Sequence, residues 1–502
     1  MGEAALPVKN KALLTLAVMG ASIIQILDST IANVAIPHMQ TSLGATQESI
    51  NWVLTSYIIA SAVAIPMTGW LADRVGARQL FIAAVIGFTV SSMLCGAATT
   101  IAQMVIYRVL QGICSAFIGP LSQTILLDIN TPEAAPKAMA MWGMGIMVAP
   151  ILGPIIGGWL TENYNWRWVF YINLPIGIPT IALLWWLMPK KAIVRRHFDL
   201  FGFSMLALAL ASLQLMLDRG TAADWFNSWE ICIELGIAIS AIWVFAIHQM
   251  TAKNPILNRA LLSNGNFVTA LAFMVIIGIM MFGIFALFPP MLQRLFGYSV
   301  LDTGILLAPR GIGILFSMFV VSRLTGKIDP RIIIGTGFLF VAYSFWEMTK
   351  WTLVMDWQPF VIIGVLQGIG MGCVFIPMNG IAFATLPGHL RTDGSSFLYL
   401  LRSLGGSMGI SLLTTVLGAN IQTAHQDIAS HITATTFSSV DPASADRLGT
   451  MGAAALGVID AEVNRQAAMI AYLDDFQLMM VVILCCLPLV LVLRPAKAAV
   501  PK

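Results

Sequence analysis

Charge is what this chain has least of. Only 10% of its 502 residues are Asp, Glu, Lys or Arg, against about 25% in an ordinary soluble protein. With 58% hydrophobic residues and a mean hydropathy of +0.84, one water-exposed globule could not hide the apolar sequence. The net charge of +3 offers no basic surface to nucleic acid. The six cysteines (Cys95, Cys114, Cys232, Cys373, Cys485 and Cys486) lie in or beside apolar runs. They have the spacing of neither a zinc site nor a secreted disulfide framework, so they read as inert thiols and no metal site is expected. A Gly-x-x-x-x-Gly-Lys-Ser/Thr phosphate loop is missing, which excludes an ATP-driven pump of that type. There is no His-x-x-x-His pair and no nucleophile elbow, so an enzyme is the least favoured reading.

What the chain has instead is repeated apolar runs of about 20 residues, the signature of a polytopic helical membrane protein. Fourteen spans are expected, at roughly 12–35, 50–72, 79–98, 101–125, 137–160, 166–188, 200–217, 229–250, 268–292, 303–324, 331–349, 358–385, 394–419 and 475–494. Lys9 and Lys11 precede a first span that is too long for a signal peptide and carries an Asp, so that span is expected to be retained. An even number of spans places both termini on one side. With the termini inside, eighteen of the 27 Lys and Arg fall in cytoplasmic segments. Six fall outside (Arg167, Arg219, Arg294, Lys350, Arg447 and Arg465), and Arg108, Arg310 and Arg402 lie within spans. This bias places both termini in the cytoplasm.

An internal repeat is visible. Val109-Leu110-Gln111-Gly112-Ile113 recurs as Val365-Leu366-Gln367-Gly368-Ile369, and Asp73 recurs in the same register as Asp329. Two matches at equivalent topological places indicate two homologous six-span halves. The expected division is residues 1–188 for the first half, 189–265 for a cytoplasmic linker with two inserted spans, and 266–502 for the second half. The linker's Lys190, Lys191, Arg195 and Arg196 read as topology determinants. Residues 421–474 read as a long polar outer loop, with a helix over 459–472 leading into the last span.

Inside the first span sits Leu27-Asp28-Ser29-Thr30-Ile31-Ala32-Asn33-Val34-Ala35-Ile36-Pro37. An ionised carboxylate in hydrocarbon costs roughly 2.5–3.5 kcal/mol even on insertion scales, so such residues persist where they work or are paired. Asp28 lies seven residues before Ala35, about 10 Å below the expected helix end. Three further motifs accompany it: Gly69-Trp70-Leu71-Ala72-Asp73-Arg74-Val75-Gly76-Ala77-Arg78 between spans two and three, Arg108-Val109-Leu110-Gln111-Gly112 in span four, and Ala149-Pro150-Ile151-Leu152-Gly153-Pro154-Ile155-Ile156-Gly157-Gly158 in span five. Together they resemble the major facilitator superfamily, specifically its fourteen-span drug/proton antiporter branch. The likeness is to EmrB-like multidrug efflux pumps, extended by Trp166-Arg167-Trp168-Val169-Phe170-Tyr171-Ile172-Asn173-Leu174-Pro175-Ile176-Gly177 and Leu217-Asp218-Arg219-Gly220. Two residues depart from the pattern: Ala77 where the loop motif carries a basic residue, and Ala149 where the span-five motif often begins with Gly.

The resemblance implies an all-α integral membrane protein with the major facilitator fold, in which two pseudo-symmetric six-span halves are joined by two inserted spans. It implies a proton-coupled antiporter in a bacterial inner membrane, exporting hydrophobic or amphipathic drugs by alternating access. No cofactor is implied beyond the proton gradient. The implied partners are a periplasmic adaptor and an outer-membrane channel, with the 421–474 segment as docking candidate. The alternatives are export of a physiological solute such as a fatty acid or siderophore, or a receptor or scaffold that transports nothing.

Roles follow residue by residue. Gly69, Asp73, Arg74, Gly76 and Arg78 form a cytoplasmic gate motif, with Asp73 and Arg74 expected in a charge contact that latches one conformation. Pro150, Gly153, Pro154, Gly157 and Gly158 form the antiporter motif, whose Gly153/Gly157 face permits close helix packing and which the family places between the halves. Asp28 and Arg108 are expected to couple protons. Burial favours a neutral carboxyl and a neighbouring cation favours the ionised form, so rocking can alternate the two. Arg310 is counted at a similar depth and is expected to join them across a cavity. Substrate-binding candidates are Gln25, Asn33, Tyr57, Gln111, Met280, Phe285, Asn379 and Arg402, with Met suited to irregular apolar ligands.

Overall fold

The computed structural model of the protein describes residues 6–131, 134–190, 193–194, 196–324, 327–384, 386–432 and 453–493. The first half comprises α1 (Lys11–Leu43), α2 (Gln47–Ala64), α3 (Thr68–Val75), α4 (Ala77–Ala97), α5 (Ile101–Ile129), α6 (Ala135–Asn163), α7 (Trp168–Tyr171) and α8 (Asn173–Leu187). Next come α9 (Leu200–Arg219), α10 (Trp229–Thr251) and the short α11 (Arg259–Leu262). The second half comprises α12 (Gly265–Arg294), α13 (Val300–Leu324), α14 (Pro330–Met348), α15 (Gln358–Ala384), α16 (Arg391–Ser430) and α17 (Ala453–Cys486).

Among the described residues, twelve helical stretches are long and apolar enough to cross a membrane. The expected count was fourteen; the fifth and eleventh expected spans are α6 and α14, helices of 29 and 19 residues that are not among the twelve.

Local chemistry sets the helix ends. Asn10 caps α1 by accepting from the Leu13 amide at 3.1 Å. The helix stops at Gly44, which takes the left-handed φ of +61°. Helix α1 therefore runs well past Ala35, through Pro37, and Asp28 lies near its midpoint rather than close to an end. Gly76 (φ +98°) makes the turn from α3 to α4, a conformation that disfavours any residue with a Cβ.

The sequence repeat corresponds to repeated packing. A Cβ on Gly112 would lie 2.5 Å from the Tyr57 carbonyl oxygen, so α5 seats directly on α2. A Cβ on Gly368 would lie 2.1 Å from the Arg310 carbonyl oxygen, so α15 seats on α13 in the same way. Tyr57 and Arg310 thus occupy matching places in the two halves. Helix α9 leans on both halves: Thr55 of α2 donates to Asp218, and Ser411 of α16 donates to the Leu217 carbonyl at 2.7 Å.

The 421–474 region is not a loop over its described part. Helix α16 has 40 residues, about 60 Å of helix where the hydrocarbon core takes about 30 Å. Helix α17 begins 22 residues before the expected last span, and contains the helix expected over 459–472. The two pack together, burying Ala424, Val463, Ala467 and Ala471, with His425 Nε2 3.2 Å from Asp460 Oδ1. Their polar, Ala-rich faces hid a helical pair that needs no lipid. Residues 433–452 of that segment lie outside the described residues.

Candidate functional site

Asp28 and Arg108 are both fully buried, and Arg108 Nη1 donates to Asp28 Oδ2 at 2.7 Å. The carboxylate's other oxygen accepts from Gln111 Nε2 (2.8 Å) and Asn173 Nδ2 (2.9 Å). Three donors, one of them a cation, thus surround the Asp28 carboxyl group. Arg108 is fixed in turn by the Val53 carbonyl (2.9 Å from Nε), by Gln111 Oε1 (2.7 Å) and by the face of Tyr57, 4.2 Å from its centroid. Asn173 also donates to Ser92, whose hydroxyl donates to the Phe170 carbonyl, both at 2.9 Å. Helices α1, α5 and α8 thus meet at one carboxylate, with α2 holding Arg108 and α4 holding Asn173. Removing either charge would strand the other in a dry interior, a loss of roughly 3–5 kcal/mol.

Asn173 went unassigned in the sequence, although it stands in the quoted Ile172-Asn173-Leu174-Pro175 run. The usable signal was an amide in an otherwise apolar span, since buried polar groups demand partners.

Arg310 does not join this cluster. It is buried in the second half beneath Phe285 and Phe288, with its guanidinium 5.7 and 5.1 Å from their centroids. Its Nε and Nη2 have no hydrogen-bond partner among the described residues. Depth along a span says how far a charge lies from the surface, not which half or face it belongs to.

The substrate candidates divide. Gln25 bridges the halves, donating to Ser115 of α5 (carbonyl 3.0 Å, hydroxyl 3.1 Å) and to the Tyr399 hydroxyl of α16 (3.1 Å). Tyr57 pairs with Ser115 at 2.6 Å, and Gln111 belongs to the Asp28 cluster. Phe285 lines a small cavity in the second half, whereas Met280 is buried in the packing of α12 and the neighbouring Met281 lines that cavity instead. Asn379 is buried, donates to the Phe375 carbonyl at 2.8 Å and has no partner for its own oxygen among the described residues. Arg402 is buried against Tyr399 and Phe375 at 4.6 and 5.7 Å. Asn33 is exposed and donates to the Ser29 carbonyl of its own helix, away from Asp28.

The gate motif makes a different contact from the one expected. Asp73 pairs with the linker's Arg196 (2.8 Å), not with Arg74, which lies over the Trp70 ring at 5.1 Å. Arg196 simultaneously holds Asp393, at the start of α16, through two bonds of 2.8 and 3.1 Å. A Cβ on Gly69 would sit 1.6 Å from Asp393 Oδ1, so only glycine admits that carboxylate. Arg78 donates to the Trp185 carbonyl at the end of α8. Arg391–Asp128 (3.2 Å) and Thr124–Ser395 (3.1 Å) also tie the halves together at the end expected to be cytoplasmic.

In the antiporter motif, the glycine face points within its own half. A Cβ on Gly153 would meet Thr30 Oγ1 at 2.2 Å, and one on Gly157 would meet Ile31 Cγ1 at 2.7 Å. These glycines draw α6 onto α1, one turn beyond Asp28. The contact with the second half uses another face: Ile155 lies 2.4 Å from where a Cβ on Gly304 would be, and Gly158 faces Val300. Pro150 and Pro154 lie inside α6, where each removes a backbone donor.

Residues 18–410 match the Major Facilitator Superfamily. The multidrug export protein EmrB of Haemophilus influenzae is 38% identical over 428 residues, covering 84% of this chain and 83% of that protein. The fatty acid resistance protein FarB of Neisseria gonorrhoeae is 34% identical over 502 residues, covering 97% of both. Among solved structures, the human organic anion transporter MFSD10 superposes with a TM-score of 0.59 at 12% identity, over 94% of this chain and 99% of that one. The proton:xylose symporter XylE does so at 0.59 and 13%, over 83% and 90%. With its helical halves, its sequence repeat and these matches, the chain belongs to the Major Facilitator Superfamily, a family of membrane transporters rather than enzymes.

Proposed function

We propose that this protein is a proton-coupled exporter of hydrophobic and amphipathic compounds across a bacterial inner membrane, working by alternating access with both termini in the cytoplasm. The observation that carries this reading is the Asp28–Arg108 pair, buried at the middle of α1 and ringed by Gln111 and Asn173. Its geometry suits a carboxyl that is ionised while Arg108 is close and takes a proton when a rearrangement inside the first half, coupled to alternating access, draws Arg108 away. Similarity to the multidrug export protein EmrB supports drugs as cargo. The paired contacts of Arg196, Asp393 and Asp73 suit a gate that closes the cytoplasmic end. The α16–α17 helical pair is the segment we assign to meeting a periplasmic adaptor in a tripartite assembly with an outer-membrane channel.

The test is efflux from proteoliposomes under an imposed pH gradient. Asp28→Asn should abolish gradient-driven efflux while substrate still binds; full efflux by a normally inserted variant would end the coupling role. A second reading, export of a fatty acid or similar solute, is favoured by the full-length similarity to FarB.

A further inference from the structure

The second half buries a cation for which the described residues provide no counter-charge. Arg310 is 5% exposed, and no described acidic side chain pairs with it; its Nε and Nη2 are unbonded. Gln367 is fully buried beside it, and neither its amide oxygen nor its nitrogen has a partner among the described residues. Both line one cavity of about 30 Å³, together with Met281, Phe285, Met318 and Met371. That volume admits a water molecule or the polar end of a small ligand.

The first half shows what this arrangement is suited to hold. By the sequence repeat Gln367 corresponds to Gln111. Gln111 stands between a guanidinium and a carboxylate, accepting from Arg108 and donating to Asp28. In the second half the glutamine and the guanidinium are present, and no acid among the described residues joins them. The faces of Phe285 and Phe288 offset only a fraction of the cost of desolvating an arginine. A planar guanidinium with free donors is matched by a carboxylate's two oxygens. Three flexible methionines around it can repack to take an apolar tail.

We propose that Arg310 and Gln367 form a subsite for the carboxylate of an amphipathic organic acid, whose apolar tail lies among Met281, Met318, Met371 and Phe285. This inference rests on the export reading for its role in transport and deepens it by naming a substrate class. Its test measures binding alone. Radiolabelled octanoate and its uncharged analogue octanamide are equilibrated by dialysis with the full chain in nanodiscs, and binding to empty nanodiscs is subtracted. The native protein should hold octanoate at least tenfold more tightly than octanamide. Arg310→Gln should remove that preference without weakening octanamide, and Arg310→Lys should restore part of it. Where Arg310→Gln inserts poorly, Gln367→Leu keeps the charge and should lower octanoate affinity several-fold, with octanamide unchanged. Equal affinity for the two probes in the native protein, or unaltered octanoate binding in Arg310→Gln or Gln367→Leu, would overturn the subsite. Gradient-driven efflux of an uncharged dye separates the two claims: its absence with octanoate preference intact defeats the export reading alone.

Discussion

The two halves share a plan and treat buried charge in opposite ways. In the first, Arg108 meets Asp28 at 2.7 Å, and their remaining hydrogen-bonding groups go largely to Gln111, Asn173 and Val53. In the second, Gln367 stands where Gln111 does, and Arg310, at the place of Tyr57, keeps free donors and pairs with no acid among the described residues. A helix-on-helix framework constrains where side chains meet, and single substitutions on it decide whether a site is self-neutralised or awaits a charge from elsewhere. The self-neutralised half suits an internal proton exchange. The other suits recognition.

The difference can be broken from either side. The largest effect is expected from Asp28→Asn: at least a tenfold loss of gradient-driven efflux, with roughly 3–5 kcal/mol of stability lost because Arg108 is left unmatched, read by vesicle transport and thermal unfolding. The converse change, Gln367→Glu, gives the second half an acid of its own. It should raise the unfolding temperature in nanodiscs and remove octanoate binding together. Gly69→Leu should follow, because its side chain must displace Asp393 from Arg196. Efflux should fall several-fold, and a cysteine at Thr124 should become more reactive to a polar thiol reagent in inverted vesicles. Asn173→Leu removes one donor from Asp28 and one from Ser92, at about 1–3 kcal/mol, and should slow efflux measurably while Asp28 still pairs with Arg108. The smallest effect belongs to Asp73→Asn. Its partner Arg196 keeps both bonds to Asp393 and the Asp73 contact is about one-third exposed, so a loss under ~1 kcal/mol should lower efflux by about twofold or less.

Sequence made Asp28 and Arg108 visible because a charge in an apolar run is costly, and their similar depth brought them within reach. Depth misplaced Arg310, since the repeat, not the depth count, assigns it to the other half. It also left Asn173 unassigned: a neutral amide carries little insertion cost until the helices around it are known. The gate was half legible. Asp73 and Gly69 stood out by motif, but Arg196 looked like one of four topology-setting charges, and Asp393 stood in none of the motifs. Only the folded chain brings the linker between them. The glycines at 153 and 157 announced close packing without naming the neighbour, which is α1 rather than the opposite half. Residues 421–474 read as loop because their commonest apolar residue is Ala, which packs helix on helix without the bulk that marks a span.

The most direct test of the account is proton release on substrate binding, followed with a pH-indicator dye in a weakly buffered suspension of the purified protein. The native protein should release protons as substrate occupies it, and Asp28→Asn should bind the same substrate and release none. Equal release by the two proteins would show that the exchanging proton resides elsewhere and would contradict the role given to Asp28.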